Sequence, residues 1–147
     1  MTRIYTTIQI SRPVEEVFNY VTAPQSWPKW HPSSIGVSGA TDHSLEVGEQ
    51  VVEEFIVAGR QGKATWTVKE RVFPRRWVIN GIINNSRNGG VVTYQLTPRN
   101  GGTFFEREFV YPTRGFLFTV LDLLIIKRRV KAESKLALKQ LQTALNK

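Results

Sequence analysis

The stretch that decides the fold lies near the start of the chain and reads Ile8-Gln9-Ile10-Ser11-Arg12-Pro13-Val14-Glu15-Glu16-Val17-Phe18-Asn19-Tyr20-Val21. Its first residues continue an alternation of apolar and polar side chains that predicts a β-strand over Arg3 to Ile10. After Pro13, apolar residues recur with the spacing of an amphipathic helix. Because a serine, a proline and two glutamates favour helix initiation here, a strand is predicted to lead directly into a short helix.

Further strands are predicted downstream, after a second short helical turn around Gln25 to Lys29. They are Ile35 to Gly39, Gln50 to Ala58, Lys63 to Phe73, Trp77 to Asn84, Val91 to Thr97 and Thr103 to Tyr111. On the third of these, one face is predicted to hold Ala64, Trp66 and Val68, and the other Lys63, Thr65, Thr67, Lys69 and Arg71. Short turns rich in glycine and proline between the strands predict an antiparallel meander.

A long helix is predicted at the carboxyl end. From Phe116 to about Asn146 the chain has no proline or glycine and is rich in good helix formers. One stripe of its second half consists of Val130, Ser134, Ala137, Leu138, Leu141 and Leu145. Such a helix is stabilised when a sheet curls around it. We therefore predict one α+β domain over residues 1–147: a helix-grip, with a curved antiparallel six- or seven-stranded sheet around the long C-terminal helix and two short helices after strand 1.

Composition narrows the classes of function. The 147 residues are 41% hydrophobic and 22% charged, which is typical of a globular domain. With no cysteine, the chain excludes disulfides, thiolate zinc sites and cysteine nucleophiles. It shows neither a signal-peptide pattern nor an apolar run of the roughly 20 residues that span a bilayer, so we predict a cytoplasmic protein. The net charge of +8 attracts anions, but no groove-reading motif accompanies it, and nucleic acid is not a favoured partner.

The order of elements and three motifs resemble the SRPBCC superfamily, which includes START domains, polyketide cyclases and birch-pollen allergens. Ile8 to Val21 is similar to the family's I-x-A-P-x-E-x-V-W/F stretch, with Ser11-Arg12 in place of the usual Ala-Pro. Trp27 to Pro32 is similar to its W-x-x-W-x-P loop, and Leu96-Thr97-Pro98 with Gly101-Gly102-Thr103 precedes the last strand in the same way. The resemblance covers essentially the whole chain, with the polyketide cyclase/dehydrase-like subgroup as the nearest type. It implies a cavity between sheet and long helix that holds a hydrophobic molecule.

Arg107 is the leading candidate for a polar group inside that cavity. The family alignment places its face inward, beside Tyr94 on the preceding strand. An inward guanidinium would hold a carboxylate, phosphate or enolate, and Glu54 or Glu70 is expected to neutralise it. A register slip of one residue would reverse this, because it moves every side chain to the other face.

The two histidines form no recognisable catalytic or metal constellation. His31 is interpreted as a surface-loop residue beside packed tryptophans, with a position near the cavity mouth as the alternative. His43 is predicted to be solvated in a turn. No metal and no cofactor is expected, and catalytic residues are not identified. The candidate ligand-binding residues are Trp66, Tyr94, Arg107, Phe109, Glu54, Trp30, Leu121 and Leu124.

The nearly apolar run that begins at Phe116 ends at Lys127-Arg128-Arg129. An apolar segment followed by cations suits contact with an anionic membrane surface through Phe116 to Arg129. Packing against the loops at the pocket entrance is the leading interpretation of this segment, and membrane contact and a homodimer interface are the alternatives. The leading functional hypothesis is that the protein binds or carries a lipid, polyketide or similar molecule. The rivals are a cyclase/aromatase-type enzyme acting in the same cavity and a membrane-peripheral partner protein.

Overall fold

The computed structural model describes residues 2–32, 34–57, 60–83, 89–111 and 127–145. These residues form seven strands: β1 (Thr2–Ile10), β2 (Ser34–Gly39), β3 (Gln50–Val57), β4 (Arg60–Val72), β5 (Arg76–Ile83), β6 (Val91–Arg99) and β7 (Gly102–Tyr111). They also form three α-helices, α1 (Val14–Val21), α2 (Trp27–Trp30) and α3 (Lys127–Leu145), with a 3₁₀ helix, Pro24–Ser26, before α2.

The strands form one curved antiparallel sheet in the order β1-β7-β6-β5-β4-β3-β2. From β2 to β7 the sheet is the predicted meander, and β1 pairs with the last strand rather than with the strand that follows it. In that pairing Thr6 lies opposite Arg107. The core fills the space between the concave face of the sheet and the helices. The predicted α+β grip is confirmed.

Helices α1 and α3 bury the faces that the sequence pattern predicts. Val14, Val17, Phe18 and Val21 are buried on α1, as are Ser134, Ala137, Leu138, Leu141 and Leu145 on α3. The end of α3 is fastened to the first strand–helix junction, where Gln142 Nε2 donates to the Gln9 carbonyl and Arg12 Nε to the Leu145 carbonyl, each across 2.6 Å. The predicted first part of this helix, residues 116–126, lies outside the described residues, as does the side chain of Val130.

The predicted outward position of Arg71 on β4 is wrong. The pairing of β4 with β5 shifts register between Val68 and Glu70, and a bulge of this kind reverses the alternation beyond it. Arg71 therefore pairs with the inward Trp77, and its guanidinium lies 5.3 Å above the ring of buried Phe18. Among the residues described, no helix is long and apolar enough to cross a bilayer.

Candidate ligand-binding site

Arg107 occupies the middle of β7 on the concave face of the sheet. Its cross-strand partners are Thr6 on β1 and Tyr94 on β6, and its neighbours on the same face are Phe105 and Phe109. The side chain is only 7% exposed, which places the guanidinium in the interior. The predicted inward direction of Arg107, beside Tyr94, is therefore what the structure shows.

Two side chains from outside the sheet contact this guanidinium. Nη1 donates to Ser134 Oγ on α3 across 3.4 Å, and Nη2 donates to Nε2 of His31, just after α2, across 3.3 Å. A guanidinium has no acceptor, so Nε2 accepts and the histidine proton lies on Nδ1. Nε of Arg107 and Nδ1 of His31 are buried, and neither has a hydrogen-bond partner within the described part of the protein.

His31 is held in its neutral form. Burial, and after it the positive charge of Arg107, lowers the pKa of His31 from 6.5 to about 3. His31 therefore lines the cavity, in agreement with the alternative that places it near the cavity mouth, and its interpretation as a surface-loop residue is wrong. His43, by contrast, is exposed as predicted and contacts Asp42 and Glu49.

Glu53 on β3 brings a carboxyl group to the same interior region. Its Oε1 accepts a hydrogen bond of 3.0 Å from the indole Nε1 of Trp66. Burial raises the pKa of Glu53 above its usual range, although the Trp66 hydrogen bond and the charge of Arg107 act in the opposite direction. Glu53 is a functional candidate that the sequence analysis missed.

The predicted roles of Glu54 and Glu70 as neutralising groups for Arg107 are wrong. Glu54 lies on the other face of β3 and pairs with Lys63 at 3.8 Å, and Glu70 accepts from Arg76 Nε at 3.0 Å. Both carboxylates are therefore engaged near the protein surface. The acidic residue on the inward face of β3 is Glu53, because it shares that face with buried Val51.

These groups surround a small cavity of about 30 Å³. Its lining combines aromatic, aliphatic and polar side chains: Trp27, His31, Glu53, Trp66, Ile79, Val92, Tyr94 and Arg107. Burial raises the pKa of Tyr94 to about 12, so its hydroxyl stays protonated at neutral pH. A volume of this size accommodates about one or two water molecules, or a head group of similar size. The cavity therefore combines a few polar groups with a largely aromatic and aliphatic lining.

The other sequence candidates divide into two sets. Phe109 packs against the edge of Trp66 with ring centroids 6.4 Å apart, and Trp30 is fully buried between His31 and Tyr94. Both therefore support the residues that line the cavity. Leu121, Leu124 and the apolar part of Phe116 to Arg129 lie outside the described residues.

Sequence comparison identifies the family to which this architecture corresponds. The family described as polyketide cyclase / dehydrase and lipid transport matches residues 1–146. The chain belongs to this family. Comparison with the curated proteins gave no match.

Solved structures with the same fold have little sequence in common with this member of the polyketide cyclase / dehydrase family. Protein TTHA0849 of Thermus thermophilus has a TM-score of 0.80 at 12% identity, with 98% of this chain and 97% of the other aligned. Protein CV1439 of Chromobacterium violaceum has a TM-score of 0.72 at 18% identity, over 99% and 97%. The Aha1 dimer of Colwellia psychrerythraea has a TM-score of 0.69 at 19% identity, over 99% and 97%. At these identities the likeness establishes the fold alone.

Proposed function

We propose that this protein binds a hydrophobic small molecule between the concave face of its sheet and its C-terminal helix. The observation that carries the proposal is the convergence of Arg107, His31 and Glu53 on a cavity otherwise lined by aromatic and aliphatic side chains. Ligand sites commonly combine an apolar lining with a few polar groups that fix orientation. The family description, which includes lipid transport, agrees with such a role.

The apolar wall of the cavity offers a direct test. Val92 lines it and is 3% exposed, whereas its neighbour Val91 is 38% exposed on the opposite face of β6. Val92→Phe should fill the cavity, and Val91→Phe adds the same volume outside it. Binding is measured by the fluorescence of N-phenyl-1-naphthylamine, an uncharged apolar probe.

We expect wild type and Val91→Phe to bind this probe equally and Val92→Phe to lose at least about tenfold in affinity, since the added ring would project from the inward face of β6 into the space proposed for the probe. Circular dichroism confirms that each variant is folded. A wild-type protein that does not bind the probe, or a folded Val92→Phe variant that binds it as well as wild type, would contradict the proposal.

A cyclase/dehydrase-type reaction is the second candidate function, and Glu53 is the observation that favours it. Burial raises the pKa of Glu53, and a carboxyl group with a raised pKa in a cavity that also holds a cation is a candidate for proton transfer. In such a reaction Arg107 would stabilise a developing enolate and Glu53 would move the proton. Glu53→Gln should then abolish turnover of an aromatic polyketide precursor while leaving probe binding intact; equal turnover by the variant would contradict this role.

Three further predictions concern where the protein is located and what it contacts. The first is cytoplasmic localisation. The second is contact of Phe116 to Arg129 with anionic membranes, which flotation with anionic liposomes at low salt tests. The third is a homodimer, and one structural relative carries the word dimer in its name. Light scattering behind size exclusion measures the mass directly, and a monomer at micromolar concentration would contradict it.

A further inference from the structure

Arg107 brings a permanent positive charge into the interior, and no carboxylate among the described residues forms an ion pair with it. Its hydrogen-bond partners in the described parts of the chain are the neutral hydroxyl groups of Ser134 and Tyr94 and the neutral ring of His31. Its third side-chain nitrogen, Nε, is buried and unpartnered there. A buried charge is unfavourable unless an opposite charge and hydrogen bonds compensate it.

Two donors in the same pocket lack an acceptor in the part of the chain that the structure describes. Besides the Arg107 Nε–H, the Nδ1–H of His31 is buried without a partner among the described residues. The two donors come from different elements, β7 and the end of α2, and both residues line the cavity. Because folded proteins rarely leave buried donors unsatisfied, their convergence points to an acceptor supplied from outside the chain.

The pocket also contains Glu53 and Tyr94, and neither forms an ion pair with Arg107. The hydroxyl of Tyr94 is neutral, and the carboxyl of Glu53 accepts from Trp66 at one oxygen and lies beyond ion-pair distance of the guanidinium. The cavity therefore presents the cation of Arg107 and two buried donors that have no partner among the described residues.

We infer that this cavity receives the carboxylate head group of its ligand, with Arg107 and His31 as the hydrogen-bond donors that hold it. The inference rests on the proposed function, because the apolar remainder of the ligand would extend from this cavity into the proposed site between the sheet and the C-terminal helix. A planar guanidinium matches the two oxygens of a carboxylate, and charge-assisted bonds of this kind are the strongest a side chain offers. The volume of about 30 Å³ suits a head group better than a whole hydrophobic molecule.

Two probes of nearly equal shape isolate the charge. 1-Naphthaleneacetate carries the carboxylate, and 1-naphthaleneacetamide replaces it by an uncharged amide. Both are titrated by calorimetry at about pH 7.5 into wild type, Arg107→Gln, Arg107→Lys and Arg99→Gln. Arg99 is exposed and stacks on Phe104, so its variant removes the same charge outside the cavity.

We expect wild type and Arg99→Gln to bind the acid about tenfold or more tightly than the amide, which is the scale of hydrogen bonds to a charged group. Arg107→Gln should lose this preference, and circular dichroism shows whether the variant is folded. Arg107→Lys should retain part of the preference, because it keeps the charge without the planar pair of donors.

The outcomes separate the inference from the proposed function. If wild type binds the uncharged naphthylamine probe but binds the acid no more tightly than the amide, the head-group inference is overturned and the hydrophobic site stands. An acid preference that survives in Arg107→Gln, or that disappears equally in Arg99→Gln, also overturns it. If no apolar probe binds, the proposed function itself fails.

Discussion

Nη2 of Arg107 donates to Nε2 of His31 across 3.3 Å, and this contact fixes the state of both groups. Because arginine stays protonated and can only donate, the histidine must be neutral, with its proton on Nδ1. An imidazole that would otherwise titrate near neutral pH thus serves as an acceptor for a buried cation. The histidine is a fixed part of the pocket rather than an acid available to a substrate.

The lowered pKa of His31 predicts a loss of stability in acid. The unfolded chain takes up this proton below its ordinary pKa of 6.5, and the folded protein does so only near pH 3, so the free energy of unfolding falls between those values. In His31→Asn that contribution is absent. Relative to the variant, the free energy of unfolding of the wild type should fall by about 2 kcal/mol between about pH 8 and about pH 5. Urea unfolding at the two pH values measures this difference.

His43 provides a control of opposite sign. Its hydrogen bonds to Asp42 and Glu49 raise the pKa of His43, so the charged form stabilises the folded protein at low pH and that contribution is lost as pH rises through the folded value. The advantage of wild type over His43→Asn should therefore be larger at about pH 5 than at about pH 8. Glu53, Tyr94 and Arg107 also face His31, and they are common to wild type and both variants. If the advantage in unfolding free energy of wild type over the two variants changed with pH in the same direction, the opposite pKa shifts of His31 and His43 would be contradicted.

Replacing Arg107 by an apolar residue should not destabilise the protein. Arg107→Met removes a desolvated charge that has no carboxylate partner in the described structure, so the free energy of unfolding should rise by on the order of 1 kcal/mol. Arg71→Met is the comparison, because Arg71 likewise contacts aromatic rings and a serine hydroxyl and forms no ion pair in the described structure, but it is less buried than Arg107, so its charge is less desolvated. Loss of the Arg71 guanidinium should lower the free energy of unfolding by about 1 kcal/mol. A clear decrease in the free energy of unfolding of Arg107→Met would mean that the buried charge of Arg107 is well compensated in the wild type.

The inward face of β7 could be predicted from sequence, and that of β3 could not. On β7, Arg107 shares a face with Phe105 and Phe109, and because Phe104 lies on the opposite face, it is the family resemblance that indicates which face points inward. On β3 the sequence Val51-Val52-Glu53-Glu54 repeats each residue type, and both registers give the same pattern. Which glutamate points inward is decided by pairing with β4, where Glu53 lies opposite buried Ala64.

The positions of Arg71 and His31 depend on features that leave no local signal. A bulge between Val68 and Glu70 adds one residue to the alternation, and nothing in the composition of β4 marks it. His31 follows a four-residue helix, and its direction is set by contact with Arg107, which lies 76 positions further along the chain. Tertiary packing determines such placements.

The hydrogen bond from Trp66 to Glu53 should have a measurable effect on the carboxyl group. Trp66→Phe keeps an aromatic ring and removes the indole N–H, so the pKa of Glu53, already raised by burial, should rise further. Trp77→Phe removes an indole N–H that donates to the Leu45 carbonyl, and it should leave the pKa of Glu53 unchanged. A ¹³C NMR titration of the carboxyl group measures both. Equal shifts in the two variants would show that a general loss of packing, not the hydrogen bond, is responsible.

The indole of Trp66 is seated over a glycine, which predicts a strong effect of one added methyl group. Trp66 lies opposite Gly81 across β4 and β5, and a Cβ at Gly81 would lie 2.5 Å from Cζ3 of the indole. Gly81→Ala must therefore displace the indole and with it the hydrogen bond to Glu53. We expect it to lower the free energy of unfolding by about 1–3 kcal/mol, as overpacking does, and to weaken binding of the naphthylamine probe.

Gly36 on β2 is the matched control for this substitution. A Cβ there meets no atom within 4 Å, so Gly36→Ala should be neutral or stabilise the protein by up to about 1 kcal/mol through the unfolded chain. Urea unfolding of the two variants side by side separates the cost of displacing Trp66 from the general effect of alanine in a strand. If Gly81→Ala is as stable as Gly36→Ala and binds the probe like wild type, the indole is not fixed by its contact with the glycine, and the aromatic wall of the cavity is not the rigid surface on which the proposed binding depends.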